Sequence, residues 1–94
     1  MAPENTISAI EAAIEVGADA VEFDIQFTSD GSAVLFHDDT LKRTTDGSGL
    51  IRKQTLEELA MLDAGSWFSS QFSGEPIPTL ALALARIDLR VTGV

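Results

Sequence analysis

Three side chains carry most of the chemistry that can be read in this 94-residue sequence. Glu22 and Asp24 stand two apart in the run AVEFDIQFT at positions 20–28. In a strand, alternate side chains share a face, so both carboxylates would project the same way, about 7 Å apart. Two hard oxygen donors with neither cysteine nor a nearby histidine suit Mg²⁺ or Ca²⁺ better than zinc. The plainer reading is the polar edge of a half-buried strand. His37 is the single histidine and follows the apolar run at 33–36, and strand ends are where α/β domains present functional groups. An imidazole with an ordinary pKa near 6.5 can act as general acid or base at neutral pH. A lone histidine also serves often as a structural hydrogen-bonding group. Asp38 or Asp39 either orients the ring or begins the turn.

Other candidates are weaker. Lys42 and Arg43 could receive an anionic substrate, but two basic residues among acidic neighbours more often pair with surface charge. Trp67, Phe68 and Phe72 could wall a pocket, and a satellite core is the more ordinary role for three aromatics near one loop. Gly47 and Gly49 lack the flanking pattern of a dinucleotide or phosphate-binding loop.

These residues need elements to hold them. Ile7, Ile10, Ala13 and Ile14 recur at helical spacing with Glu11 and Glu15 on the other side, which predicts an amphipathic helix over residues 6–16. Asn5 or Thr6 is its expected cap, Ser8 with Glu11 also matches a capping box, and Gly17 ends it. The alternation of Val21, Phe23, Ile25 and Phe27 with polar residues predicts a strand with one apolar and one acidic face. Ser29-Asp30-Gly31 is turn chemistry, and a second short strand follows at 33–36. Residues 40–51 read as a loop with tight turns at Asp46-Gly47 and Ser48-Gly49. Thr55 and Glu58 form a capping box opening a short helix with Leu56, Leu59 and Leu62 as its apolar stripe. Thr79 can cap a helix over 80–85, and residues 87–94 could begin a further strand. The order is helix, strand, strand, insertion, helix, possible strand, with strands short and apolar as parallel sheets require.

Composition bounds the function. Six Lys+Arg against fifteen Asp+Glu give a formal charge of −9 and a pI near 4.2. Such a surface repels phosphate backbones and acidic lipid, which argues against non-specific nucleic-acid or membrane binding. The 45% hydrophobic content and mean hydropathy of +0.15 supply material for a packed core. The chain contains no cysteine, so disulfides, thiolate zinc sites and cysteine nucleophiles are excluded. The longest apolar stretch, around 79–85, is far short of the roughly 20 residues a spanning helix needs. The N-terminal residues show neither the basic nor the apolar region of a secretory signal, which predicts a cytoplasmic location.

Taken in order, Ala2-Pro-Glu-Asn-Thr6, Gly17-Ala-Asp, Val21-Glu-Phe-Asp24, Thr28-Ser-Asp-Gly31, His37-Asp38, Arg43-Thr-Thr-Asp-Gly47, Thr55-Leu-Glu-Glu-Leu59, Asp63-Ala-Gly-Ser-Trp-Phe68 and Ile77-Pro-Thr-Leu80 form one constellation. It resembles the N-terminal part of the glycerophosphodiester phosphodiesterases, and the match runs from Ala2 to about Leu84. The resemblance implies an α/β fold: a partial TIM (β/α) barrel of the phospholipase C-like phosphodiesterase type, truncated at both ends, with the family's insertion at about 40–76. It implies Glu22 and Asp24 as metal ligands, His37 as one of two acid-base histidines, and Glu4 and Asn5 as supporting residues. The implied reaction is metal-dependent hydrolysis of a small-molecule glycerophosphodiester to an alcohol and glycerol 3-phosphate, a step of lipid and glycerol metabolism, with Mg²⁺ or Ca²⁺ as cofactor. A bound cation would also reconcile an acidic site with an anionic substrate.

Two of the family's features have no counterpart here. The His-Arg-Gly motif, which carries the other histidine and a phosphate-contacting arginine, would precede Met1. The later metal-binding Glu of an E-x-K strand is not found in the tail ALALARIDLRVTGV, which reads as a divergent or out-of-frame end. The 94-residue chain alone is therefore expected to bind metal weakly and to hydrolyse little or nothing. The competing reading is a non-catalytic acidic domain that binds a divalent ion or a partner protein through open sheet edges and the aromatics at 67–72.

Overall fold

A computed structural model describes residues 2–17 and 23–91. Helix α1 (Ile7–Glu15) begins at Thr6, whose extended backbone and Oγ1, accepting from Ala9 N–H at 3.2 Å, make it the cap. The same hydroxyl donates to the Pro3 carbonyl at 2.7 Å. Thr6 and Pro3 are both buried, so the turn preceding α1 is anchored from below. The Ser8–Glu11 capping box is not used, because Ser8 N–H donates to the Glu75 carboxylate at 3.0 Å. Gly17, at φ +78°, follows the helix in the left-handed conformation that glycine adopts without strain.

Strands β1 (Ile25–Phe27) and β2 (Ala33–Leu35) form an antiparallel hairpin in the register Ile25 with Leu35, Gln26 with Val34 and Phe27 with Ala33. This corrects the parallel pairing expected from the sequence. Ser29-Asp30-Gly31 reverses the chain in a few residues, whereas a parallel connection needs a dozen or more. Thr28 closes the turn, its N–H bonding the Ser32 carbonyl at 2.9 Å and its hydroxyl bonding Asp30. The predicted strand at 20–28 is thus seen as β1 plus one further backbone bond, from Phe36 N–H to the Asp24 carbonyl at 3.0 Å. Its earlier part, with Val21 and Glu22, lies outside the described residues.

The period of two along β2 serves two cores. Val34 and Phe36 enter a cluster with Leu41, Ile51, Leu59, Ala64 and Ile77, while Leu35 points the other way, onto Ile10 of α1 and Ala83. Of the apolar face predicted for β1, Phe23 packs on this second cluster, but Ile25 and Phe27 are 42% and 60% exposed. Helix α2 (Leu56–Leu59) carries both halves of the predicted capping box, Glu58 N–H on Thr55 Oγ1 at 3.1 Å and Thr55 N–H on Glu58 Oε1 at 2.8 Å. Its Leu59 is buried.

Helix α3 (Leu80–Val91) runs past the predicted end at 85 and takes up residues 87–91, where a strand was expected. Leu80, Ala83 and Ile87 keep helical spacing against α1, and Arg86 pairs with Glu11 at 3.2 Å, so helix–helix packing overrides the β-prone ending. The aromatic loop is not a buried core. Trp67, Phe68 and Phe72 stack edge-on, with centroids 5.6 and 5.8 Å apart, and none of the three is buried. The Trp67 indole must reach a carbonyl, that of Ala64 at 2.8 Å, which holds the ring at the surface. Among the described residues no helix is long and apolar enough to cross a membrane.

Candidate active site

His37 leaves β2 one residue after the buried Phe36, so the core fixes the point from which its exposed ring projects. Gln26 of β1 donates its amide to the His37 carbonyl at 3.2 Å and holds the backbone of this turn. The ring Nδ1 lies 2.8 Å from Asp38 Oδ1. Asp38, rather than Asp39, is therefore the orienting acid; the Asp39 carbonyl is taken up by Ile51 N–H at 2.9 Å.

Arg43 and His37, both hydrogen-bonded to Asp38, hold its carboxyl well below the usual carboxylate range. An ionised carboxylate can only accept, so Nδ1 carries the proton and Nε2 is left as the working nitrogen. The hydrogen bond to Asp38, followed by the field of Asp24, raises the pKa of His37. Asp24 stands across the hairpin from Phe36, next to His37 in the chain.

Asp24 is gripped from the N-terminal turn. The Asn5 amide oxygen accepts Asp24 N–H at 2.9 Å, and Asn5 Nδ2 donates to Asp24 Oδ2 at 3.2 Å. Asn5 holds φ 55°, a left-handed conformation that asparagine tolerates better than most residues. Beside it, Glu4 takes two hydrogen bonds from Arg43 at 2.9 and 3.1 Å. Glu4 and Asn5, expected as supporting residues, contact Arg43 and Asp24 respectively. Arg43, expected as a surface charge partner or an anion contact, is such a partner, and its acids belong to the site. The spacing to Asp38 hinted at this; the pairing with Glu4, 39 positions away, has no local signal.

Of the two acids predicted to hold a cation, Asp24 presents an exposed carboxylate and Glu22 lies outside the described residues. Among the described residues no three His, Asp or Glu side chains converge as a ligand cage. The donor that is present, a carboxylate fixed by an amide in an acidic surface, has the chemistry of a hard divalent ion's ligand.

Comparisons with known proteins place the chain in a family. Residues 1–92 match the model of the glycerophosphoryl diester phosphodiesterase family. A glycerophosphodiester phosphodiesterase of Caldanaerobacter subterraneus is 54% identical over 78 residues, covering 83% of this chain and 32% of that protein. Human glycerophosphodiester phosphodiesterase 1 is 49% identical over 86 residues, covering 89% and 26%. Among solved structures, a phosphodiesterase of Oleispira antarctica in complex with the product sn-glycerol-3-phosphate superposes with a TM-score of 0.92 at 48% identity, over 95% of this chain and 36% of that one. The glycerophosphodiester phosphodiesterase of Agrobacterium tumefaciens gives 0.92 at 40% identity, over 96% and 39%. The chain spans about a third of the length of such relatives, and its α/β fold corresponds to part of their TIM barrel. This chain belongs to the glycerophosphoryl diester phosphodiesterase family, whose members generally depend on a divalent metal.

Proposed function

We propose that the protein carrying this segment hydrolyses glycerophosphodiesters to an alcohol and glycerol 3-phosphate, using Mg²⁺ or Ca²⁺ held in part by Glu22 and Asp24. A cation bound there would neutralise the phosphodiester oxygens and stabilise charge on the attacking or leaving oxygen. His37 moves the proton: with Nδ1 committed to Asp38, Nε2 is the atom that takes up or delivers it at the reacting oxygen. Asn5 keeps the Asp24 carboxylate in place. Residues of about 40–76 act as an insertion that supplies Leu41, Ile51 and Leu59 to the core beneath the site. The observation that carries this reading is the imidazole bonded to an ionised Asp38 at 2.8 Å, with Asp24 close enough for its charge to act on the ring.

The test is a chimera in which the matching segment of the Caldanaerobacter subterraneus relative is replaced by this chain's residues. Release of glycerol 3-phosphate from glycerophosphocholine should require added divalent metal. It should fall at least about a hundredfold in His37→Ala. Full turnover in that variant would overturn the assignment.

A further inference from the structure

The Arg43 guanidinium lies between two carboxylates. Nη1 and Nη2 donate to Glu4 Oε1 and Oε2 at 3.1 and 2.9 Å, while Nε and Nη2 donate to Asp38 Oδ2 and Oδ1, both at 2.9 Å. Four of its five N–H donors are spent, which leaves too few for a two-pronged grip on a phosphate. What the arrangement does fix is direction. Asp38 Oδ1, which receives Arg43 Nη2, also receives His37 Nδ1 at 2.8 Å. The anchoring Glu4 precedes Asn5, the residue that grips Asp24. Two consecutive residues therefore fasten the acid-base side chain and the candidate metal ligand to one turn, which buried Thr6 and Pro3 secure from beneath.

We infer that Arg43, held by Glu4, is a positioning residue for His37: it fixes the Asp38 carboxylate, and Asp38 fixes the imidazole as the Nδ1–H tautomer. This role in catalysis rests on the hydrolytic reading above. Lysine could not replace it, because a point charge cannot fork to two carboxylates at once.

The 94-residue chain has one histidine, so long-range ¹⁵N NMR of the imidazole, at a pH where the ring is neutral, reads the tautomer directly. The wild-type chain should show Nδ1–H. Arg43→Gln, Arg43→Lys and Glu4→Gln should each shift it toward the Nε2–H form that free imidazole side chains favour in water. Combining Arg43→Gln with Glu4→Gln should add little, since both act through one chain of contacts. In the chimera, each single variant should lower kcat about tenfold or more and leave KM within about twofold. An Nε2–H wild-type ring, a tautomer indifferent to these substitutions, recovery of kcat in Arg43→Lys, or a raised KM at constant kcat would each overturn the inference. A chimera that releases no glycerol 3-phosphate, alongside an Arg43-dependent Nδ1–H ring, would count against hydrolysis and leave the positioning of the ring established.

Discussion

Replacing Asn5 with glycine removes the clamp on Asp24 while keeping the backbone that the turn needs. At φ 55° an alanine would add about 1 kcal/mol or more of left-handed strain, so glycine isolates the loss of the side chain. That loss is two hydrogen bonds, at 2.9 and 3.2 Å, both to Asp24. Because they are exposed, each is placed at the lower end of the usual net value, so the pair contributes about 1–2 kcal/mol. This is a preference of roughly five- to thirtyfold for the pinned Asp24, one bond holding its backbone N–H and the other its carboxylate. It overlaps the 10- to 100-fold loss in affinity common when a metal ligand's hydrogen-bond partner is removed. The expected outcome is a loss of about tenfold in Mg²⁺ affinity, measured by calorimetric titration of the chimera, with Asp24→Asn weaker still. Unchanged affinity in Asn5→Gly, with Asp24→Asn impaired, would refute the idea that the clamp prepares the ligand.

Asp38→Asn should lower the His37 pKa in the metal-free chain, followed by NMR, because the Asp38 hydrogen bond is the largest cause of its elevation. The sign for stability follows: a pKa raised on folding gives a contribution that is complete below the unfolded value near 6.5 and is lost as pH rises through the folded one. Leu59→Ala should cost about 2–5 kcal/mol in urea unfolding, since Leu59 is 1% exposed among Val34, Phe36, Leu41 and Ile51. Gly65→Ala should unsettle the loop around Asp63 severely, because a Cβ there would lie 1.9 Å from the Phe72 carbonyl oxygen. Faster hydrogen exchange at Ser66 and Gly74, whose N–H groups bond Asp63, would show it.

Much of this protein was legible in local sequence, because the signals involved act over a few residues. Thr6 and the Thr55–Glu58 pair cap their helices as their types predict, and Gly17 ends α1. The order of motifs from Ala2 to Leu80 also pointed to the family that residues 1–92 match. His37 stands out in the sequence by its place at a strand's exit, a position set by the apolar run before it.

Tertiary structure decided what depends on partners distant in sequence. Strand pairing is not legible locally, because short apolar strands suit parallel and antiparallel sheets alike, and here the Asp30-Gly31 turn settles it. Residues 87–91 became helix because Ile87 found the cluster of Ile10 and Leu35, a reward invisible to propensity. The place of Arg43 between Asp38 and Glu4 required Glu4 to arrive from 39 positions away. Local backbone preferences act over a turn of chain and can be read in order. A hydrogen-bonded network of charges exists only where the folded chain brings its members within hydrogen-bond reach, and sequence order does not carry that distance.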